Sequence, residues 1–195
     1  MAQREAGSGI MAYFYCDFRD EDKQSCHNLV LSIISQLFAQ SDLFYDTLSR
    51  IYLAHNEGAE KPSDETLIKC LTEMVSLPVQ GPTYLVVDAL DECPKNFGFP
   101  TAREKVLELI NSLVSLRLPN LHICVTSRPE IDIQNTLEPL TTHSVSLHNQ
   151  SGQKEDIIDF IRSTVYSDSM PITRRWREED KKLVIDALSK RADGM

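Results

Sequence analysis

The chain has 195 residues, enough for one domain with a real core, or for one domain and part of another. Its apolar share of 42% and charged share of 25% are those of an ordinary soluble globular protein. A net charge of −9 argues against long-range attraction to nucleic acid or to an anionic membrane. No run reaches the roughly 20 apolar residues that a membrane span needs, and Met1 to Gly9 lacks the apolar centre of a signal peptide. The five cysteines, Cys16, Cys26, Cys70, Cys93 and Cys124, are odd in number and form no C-x-x-C. They predict neither a disulfide framework nor a zinc site, and they suit a reducing, cytoplasmic compartment. Cys16 and Cys124 fall in strand-like runs and read as small core residues.

In chain order, Ile10 to Tyr15 reads as a strand and Arg19 to Lys23 as a charged turn. From Ser25 the period becomes helical, with Val30, Ile33, Ile34, Leu37 and Phe38 on one face. Ser41-Asp42 caps a second helix with Phe44, Leu48, Ile51 and Tyr52 inward, and Asn56-Glu57-Gly58 stops it. Ser63-Asp64 caps a third, carrying Leu67, Ile68, Leu71 and Val75, which Pro78 and Gly81-Pro82 close. Thr83 to Val87 is free of charge and rich in β-formers, as is a strand buried on both faces of a parallel sheet. Cys93 to Pro100 is a loop, and a helix with Val106, Leu109, Ile110, Leu113 and Val114 follows. Leu121 to Thr126 reads as a second buried strand, and Ser144 to Leu147 as a weaker one. Beyond Ser151-Gly152 two helices are predicted, with Ile157, Ile158, Ile161 and Val165 on one and Leu183, Val184, Ala187 and Leu188 on the other. Ser167 to Thr173 links them, and Arg174 to Arg177 with Trp176 reads as a solvated helix start. Strands alternating with helices predict an α/β fold with a parallel sheet over residues 1–150 and a helical subdomain over 151–195.

The chemistry concentrates at the ends of the two central strands. In open α/β sheets ligands bind beyond the carboxyl ends of the strands. Asp88 terminates the first of these strands, where a carboxylate can hold a hydrated Mg²⁺. Asp91 and Glu92, one turn on, could orient or deprotonate an attacking water. Arg128 follows the second strand through Thr126-Ser127, at the same edge, where a guanidinium can contact a γ-phosphate. An Arg bonded to a neighbouring carboxylate is an equally good account of Arg128 taken alone. The five histidines show no ligand spacing, and Ser127 and Cys93 lack a nucleophile motif. G-x-x-x-x-G-K-[ST] occurs nowhere, and Ala6-Gly7-Ser8-Gly9 has no Lys after it and precedes a strand.

Tyr84 to Glu92 resembles the extended Walker B strand of NACHT-type signal-transduction NTPases, in which a small residue and two further acids follow the first Asp. Leu121 to Pro129 is similar to their sensor-1 strand, and Ala12 to Asp17 with its helix to the second strand of the fungal, nephrocystin-3-like NACHT proteins. Arg191 to Met195 resembles the close of their first helical subdomain. The resemblance implies a three-layer P-loop NTPase-like sheet lacking its first strand and P-loop, followed by the start of a helical subdomain. It implies Mg²⁺ with ATP or GTP, Asp88 as metal ligand, Asp91 and Glu92 in hydrolysis, Arg128 as phosphate sensor, and a homo-oligomer or other signalling proteins as partners. In that fold the P-loop strand lies beside the sensor-1 strand. Its absence predicts a bare hydrogen-bonding edge along Leu121 to Thr126 and a chain of marginal stability alone. The alternatives are a non-catalytic NACHT-derived interaction or oligomerisation module, and an unrelated Mg²⁺-dependent phosphohydrolase.

Overall fold

Alternation along the strands decides which side of the sheet is covered. The computed structural model describes residues 9–78, 81–95, 98–146, 153–167 and 172–191. Strand β1 (Ile10–Tyr15) buries Ile10, Ala12 and Phe14 and exposes Met11, Tyr13 and Tyr15. Strand β2 (Thr83–Asp88) buries Thr83, Leu85 and Val87, and β3 (Leu121–Val125) half-buries Leu121, Ile123 and Val125. The three pair in the order β1-β2-β3, all parallel, with Ile10 opposite Thr83 and Thr83 opposite Leu121.

The helices follow their caps. Helix α1 (Cys26–Phe38) starts at Ser25, whose hydroxyl accepts from Asn28 N. After a 3₁₀ turn capped by Ser41 comes α2 (Tyr45–Ala54). Helix α3 (Asp64–Ser76) starts at Ser63 and α4 (Ala102–Ser115) at Thr101, which forms a full capping box with Glu104. Leu29, Val30, Ile33 and Leu37 of α1, Leu67, Leu71 and Met74 of α3, and Val106, Leu109, Ile110 and Leu113 of α4 form one core with the inward strand residues. A short helix, α5 (Ile131–Leu137), follows β3 and buries Ile133; its seven residues carry too little periodicity to announce themselves in sequence.

The sheet departs from expectation in one respect. β2 and β3 are not buried on both faces: Tyr84 is 43% exposed, and His122 and Cys124 are exposed. A right-handed crossover places its helix on a side set by the direction of travel. Both crossovers run the same way, β1 to β2 to β3, so they cover the same face. Among the described residues of this unit the opposite face carries Met11, Tyr13, Tyr15, Tyr84, His122 and Cys124, and the third layer is not seen. Cys124 is therefore a surface thiol and not a core residue. Phe38 and Tyr52, predicted inward, are also largely exposed, because each lies at the margin of its helix's apolar stripe.

The two sheet edges differ. Backbone groups of Met11 and Tyr13 point away from β2, and two glutamines of the α1 region take them up. Gln40 accepts from Met11 N at 3.2 Å and donates to Met11 O at 2.6 Å. Gln36 accepts from Tyr13 N at 3.1 Å and donates to Tyr13 O at 2.7 Å. Spaced i, i+4, the pair imitates a neighbouring strand. At the other edge, β3 has no strand beyond it among the described residues.

Residues 1–141 form one compact unit and 142–195 a second. In the second, α6 (Gln153–Val165) packs on α7 (Glu178–Arg191). Val165 and Ile185 are buried there; of the residues predicted inward on α7, Val184 is half-buried while Leu183, Ala187 and Leu188 are exposed, so the inner stripe runs through Val184 and Ile185. Ser144 to Ser146 form no strand, and Leu147 lies outside the described residues, as do most of Met1 to Gly9, much of the Ser167–Thr173 link and Ala192 to Met195. Among the described residues no helix is long and apolar enough to cross a membrane.

Candidate functional site

Parallel pairing sets Val87 beside Val125, so the residues that follow, Asp88-Ala89 and Thr126, meet at the carboxyl edge of the sheet. Thr126 N donates to Val87 O at 3.0 Å and Leu90 N to Thr126 O at 2.9 Å. The Thr126 hydroxyl accepts from Ala89 N at 3.0 Å and donates to the Asp88 carboxylate in a short bond. This threonine orients Asp88. Ala89 carries the turn: its φ of 53° is left-handed, a conformation a small side chain enters at least cost and one that redirects the chain into the 3₁₀ turn Leu90–Glu92.

Asp91 and Arg128 come together. Arg128 donates to one Asp91 oxygen through its backbone N–H at 2.9 Å and to the other through Nε at 2.5 Å. The Asp91 side chain is only 4% exposed while that of Arg128 is 74% exposed. Burial pushes the Asp91 carboxyl up, but the backbone and side-chain bonds from Arg128 outweigh it and hold it below the ordinary range. The same contact raises Arg128. Asp91 is thus a fixed anion with both oxygens engaged. Glu92 accepts from Phe18 N at 3.3 Å and borders a cavity of about 360 Å³ that Lys95, Arg103 and Arg128 also line. Asp88 lies outside that lining.

Arg103 belongs to no sequence motif. It sits at the start of α4 with its side chain 4% exposed. Its Nε donates to Cys93 O at 2.9 Å, Nη2 donates to Asp91 O, and Nη1 donates to Glu130 at 2.5 Å and Asp132 at 3.2 Å. One guanidinium so ties the turn after β2 to α5. Burial would lower Arg103, yet Glu130 and Asp132 carry it above its ordinary value. Lys95 and Arg103 together lower Glu130 to about 2. The signal that could have found Arg103 is an arginine one residue inside a helix of otherwise apolar inward stripe. Near it, Cys16 and Cys93 are buried: the neighbouring Cys93 and burial push Cys16 up, while Cys16 and the Arg103 charge bring Cys93 down.

Mg²⁺ typically keeps several waters and is held by one or two carboxylates with substrate phosphates. Among the described residues no group of three or more His, Cys, Asp or Glu is placed to hold a metal. Asp88, oriented by Thr126, is a single carboxylate that could contribute to holding a hydrated divalent ion.

The family described as Nephrocystin 3, N-terminal matches residues 2–128, from before β1 to Arg128. No curated protein and no solved structure matches the chain.

Proposed function

The chain belongs to the nephrocystin 3 N-terminal family, and from that premise we propose that it carries the acid and sensor half of a NACHT-type site for ATP or GTP. The observation that supports this is the junction of β2 and β3. Thr126 orients Asp88, and two residues on Arg128 meets Asp91. Asp88 would hold a hydrated Mg²⁺ borne by the nucleotide, and that ion would supply charge to the phosphate oxygens. Glu92, at the cavity wall, is the carboxylate free to orient a water, while Asp91 acts by keeping Arg128 in place. Released from Asp91, the exposed Arg128 guanidinium can turn to a γ-phosphate. With no G-x-x-x-x-G-K-[ST] in the chain, the phosphate-binding half comes from another polypeptide segment, and hydrolysis depends on it.

Titration calorimetry of the full chain with ATP and GTP tests this. Weak binding that requires magnesium and disappears in Asp88→Asn is expected. No binding of either nucleotide with magnesium at saturating concentration overturns it. The second reading, a non-catalytic interaction module, is favoured by the bare aromatic sheet face with Met11, Tyr13, Tyr15 and Tyr84. It predicts partner binding that ignores nucleotide.

A further inference from the structure

We propose that Arg103 is a positioning residue of the candidate site, setting the place of Glu92 and of the Arg128 arm together. The inference deepens the nucleotide reading and rests on it for what Glu92 and Arg128 go on to do. The placing itself belongs to the free chain: Arg103 acts through these two residues and not on a ligand.

The first argument is which atoms Arg103 serves. Three carbonyls around Glu92 accept from it: Asp91 O from Nη2, Cys93 O from Nε at 2.9 Å, and Pro94 O from its backbone N–H at 3.2 Å. The amides of the same stretch are also taken, Glu92 N by Ala89 O at 2.9 Å and Cys93 N by Leu90 O at 3.1 Å. The backbone on either side of Glu92 is thereby held, and its carboxylate reaches Phe18 N from a fixed start. A buried guanidinium needs acceptors, but carboxylates alone could supply them. Two of the four that the Arg103 side chain takes are instead main-chain carbonyls of the acid turn.

The second argument is closure. The Asp91 carboxylate accepts from Arg128, and Arg128 O accepts from Glu130 N at 2.9 Å. The Glu130 carboxylate accepts from Arg103 Nη1, and Arg103 Nη2 returns to Asp91 through its carbonyl. These bonds form a ring in which Asp91 is held at both its side chain and its backbone. Arg103 stands on α4, outside both of the segments that it joins, so the spacing between the acid turn and the Arg128–Glu130 segment depends on its fork. Lys95 also donates to Glu130, at 2.8 Å, but from an exposed side chain, which makes it the weaker tie. An arginine that only stapled α4 to α5 would have no effect on the Asp91–Arg128 pair, and the two roles part at that point.

NMR of the full chain reads both arms, through the titration of the Asp91 carboxyl for Arg128 and the amide signal of Phe18 for Glu92. Arg103→Lys keeps the charge and removes the fork. Glu130→Gln keeps the shape and cuts the charged link at a partly exposed position, and it carries the test if lysine at 103 prevents folding. The expected result is that the Asp91 carboxyl titrates higher in each variant than in the native chain, and that the Phe18 amide signal also moves in Arg103→Lys. Charge alone cannot produce this: the lysine conserves it, and loss of the negative Glu130 would by itself lower Asp91. A reduced urea midpoint with the Asp91 titration unchanged or lowered in Glu130→Gln overturns the proposal, as does an unmoved Phe18 amide in folded Arg103→Lys. Failure of the native chain to bind ATP or GTP strikes the nucleotide reading and leaves the result at Asp91 standing.

Discussion

Arg128 reaches across from the end of β3 and closes on both carboxylate oxygens of Asp91, once through its backbone and once through Nε. A residue expected to sense a phosphate is therefore held, in the free chain, by one of the acids expected to work beside it. Charge-assisted bonds of this kind are directional as well as strong, so the pair fixes where the guanidinium starts and what it must leave.

Removing that partner should be legible in the acid itself. In Arg128→Ala the side-chain bond and the positive charge are lost while burial persists, so the Asp91 carboxyl should rise from below its ordinary value toward or above it. Carbon-detected NMR titration of the Asp91 side chain checks this. An unchanged titration would mean that Arg128 does not hold the acid in solution.

Arg103 should matter more for stability than for any ligand. Its buried guanidinium serves Cys93, Asp91, Glu130 and Asp132, and a lysine cannot reproduce a fork that spreads over four acceptors. Arg103→Lys should cost roughly 2–4 kcal/mol, toward the lower side because Glu130 and Asp132 remain partly solvated. The urea midpoint reports it.

The glutamine edge of β1 gives a prediction of a different kind. Each neutral hydrogen bond contributes about 0.5–1.5 kcal/mol, so Gln36→Ala with Gln40→Ala should lower stability modestly. It should also bare the outward backbone groups of Met11 and Tyr13, and sedimentation should then show more self-association than the native chain does.

Acidification should loosen the tie between α4 and α5. Glu130 has a folded value of about 2 against an ordinary 4.5. A depressed carboxyl contributes stability that is present above its unfolded value and is lost as pH falls through the folded one. The stability gap between the native chain and Glu130→Gln should therefore be full above about pH 5 and close toward about pH 2. Urea midpoints across that window test it.

Ala89 sits at φ 53°. The left-handed region costs an L-residue about 1–2 kcal/mol, which glycine avoids, while glycine loses more freedom on folding. Ala89→Gly should be neutral to stabilising and Ala89→Val destabilising, as thermal midpoints would show.

Periodicity and capping in the sequence determined the parallel α/β order, the helices from Ser25 to Ser115 and the gathering of Asp88, Asp91, Glu92 and Arg128 at one edge, because these depend on neighbours near in the chain or on the simple rule that parallel strands end together. Tertiary structure alone decided the rest. Charge-free runs at β2 and β3 looked buried on both sides, but which face the helices cover depends on the direction of the crossovers, and no local pattern records it. Arg103 gains its role only when α5, a helix too short to read, brings Glu130 and Asp132 to it. Gln36 and Gln40 form an edge only through the approach of α1 to β1. Contacts between distant segments carry no period, so they become visible only when the chain has folded.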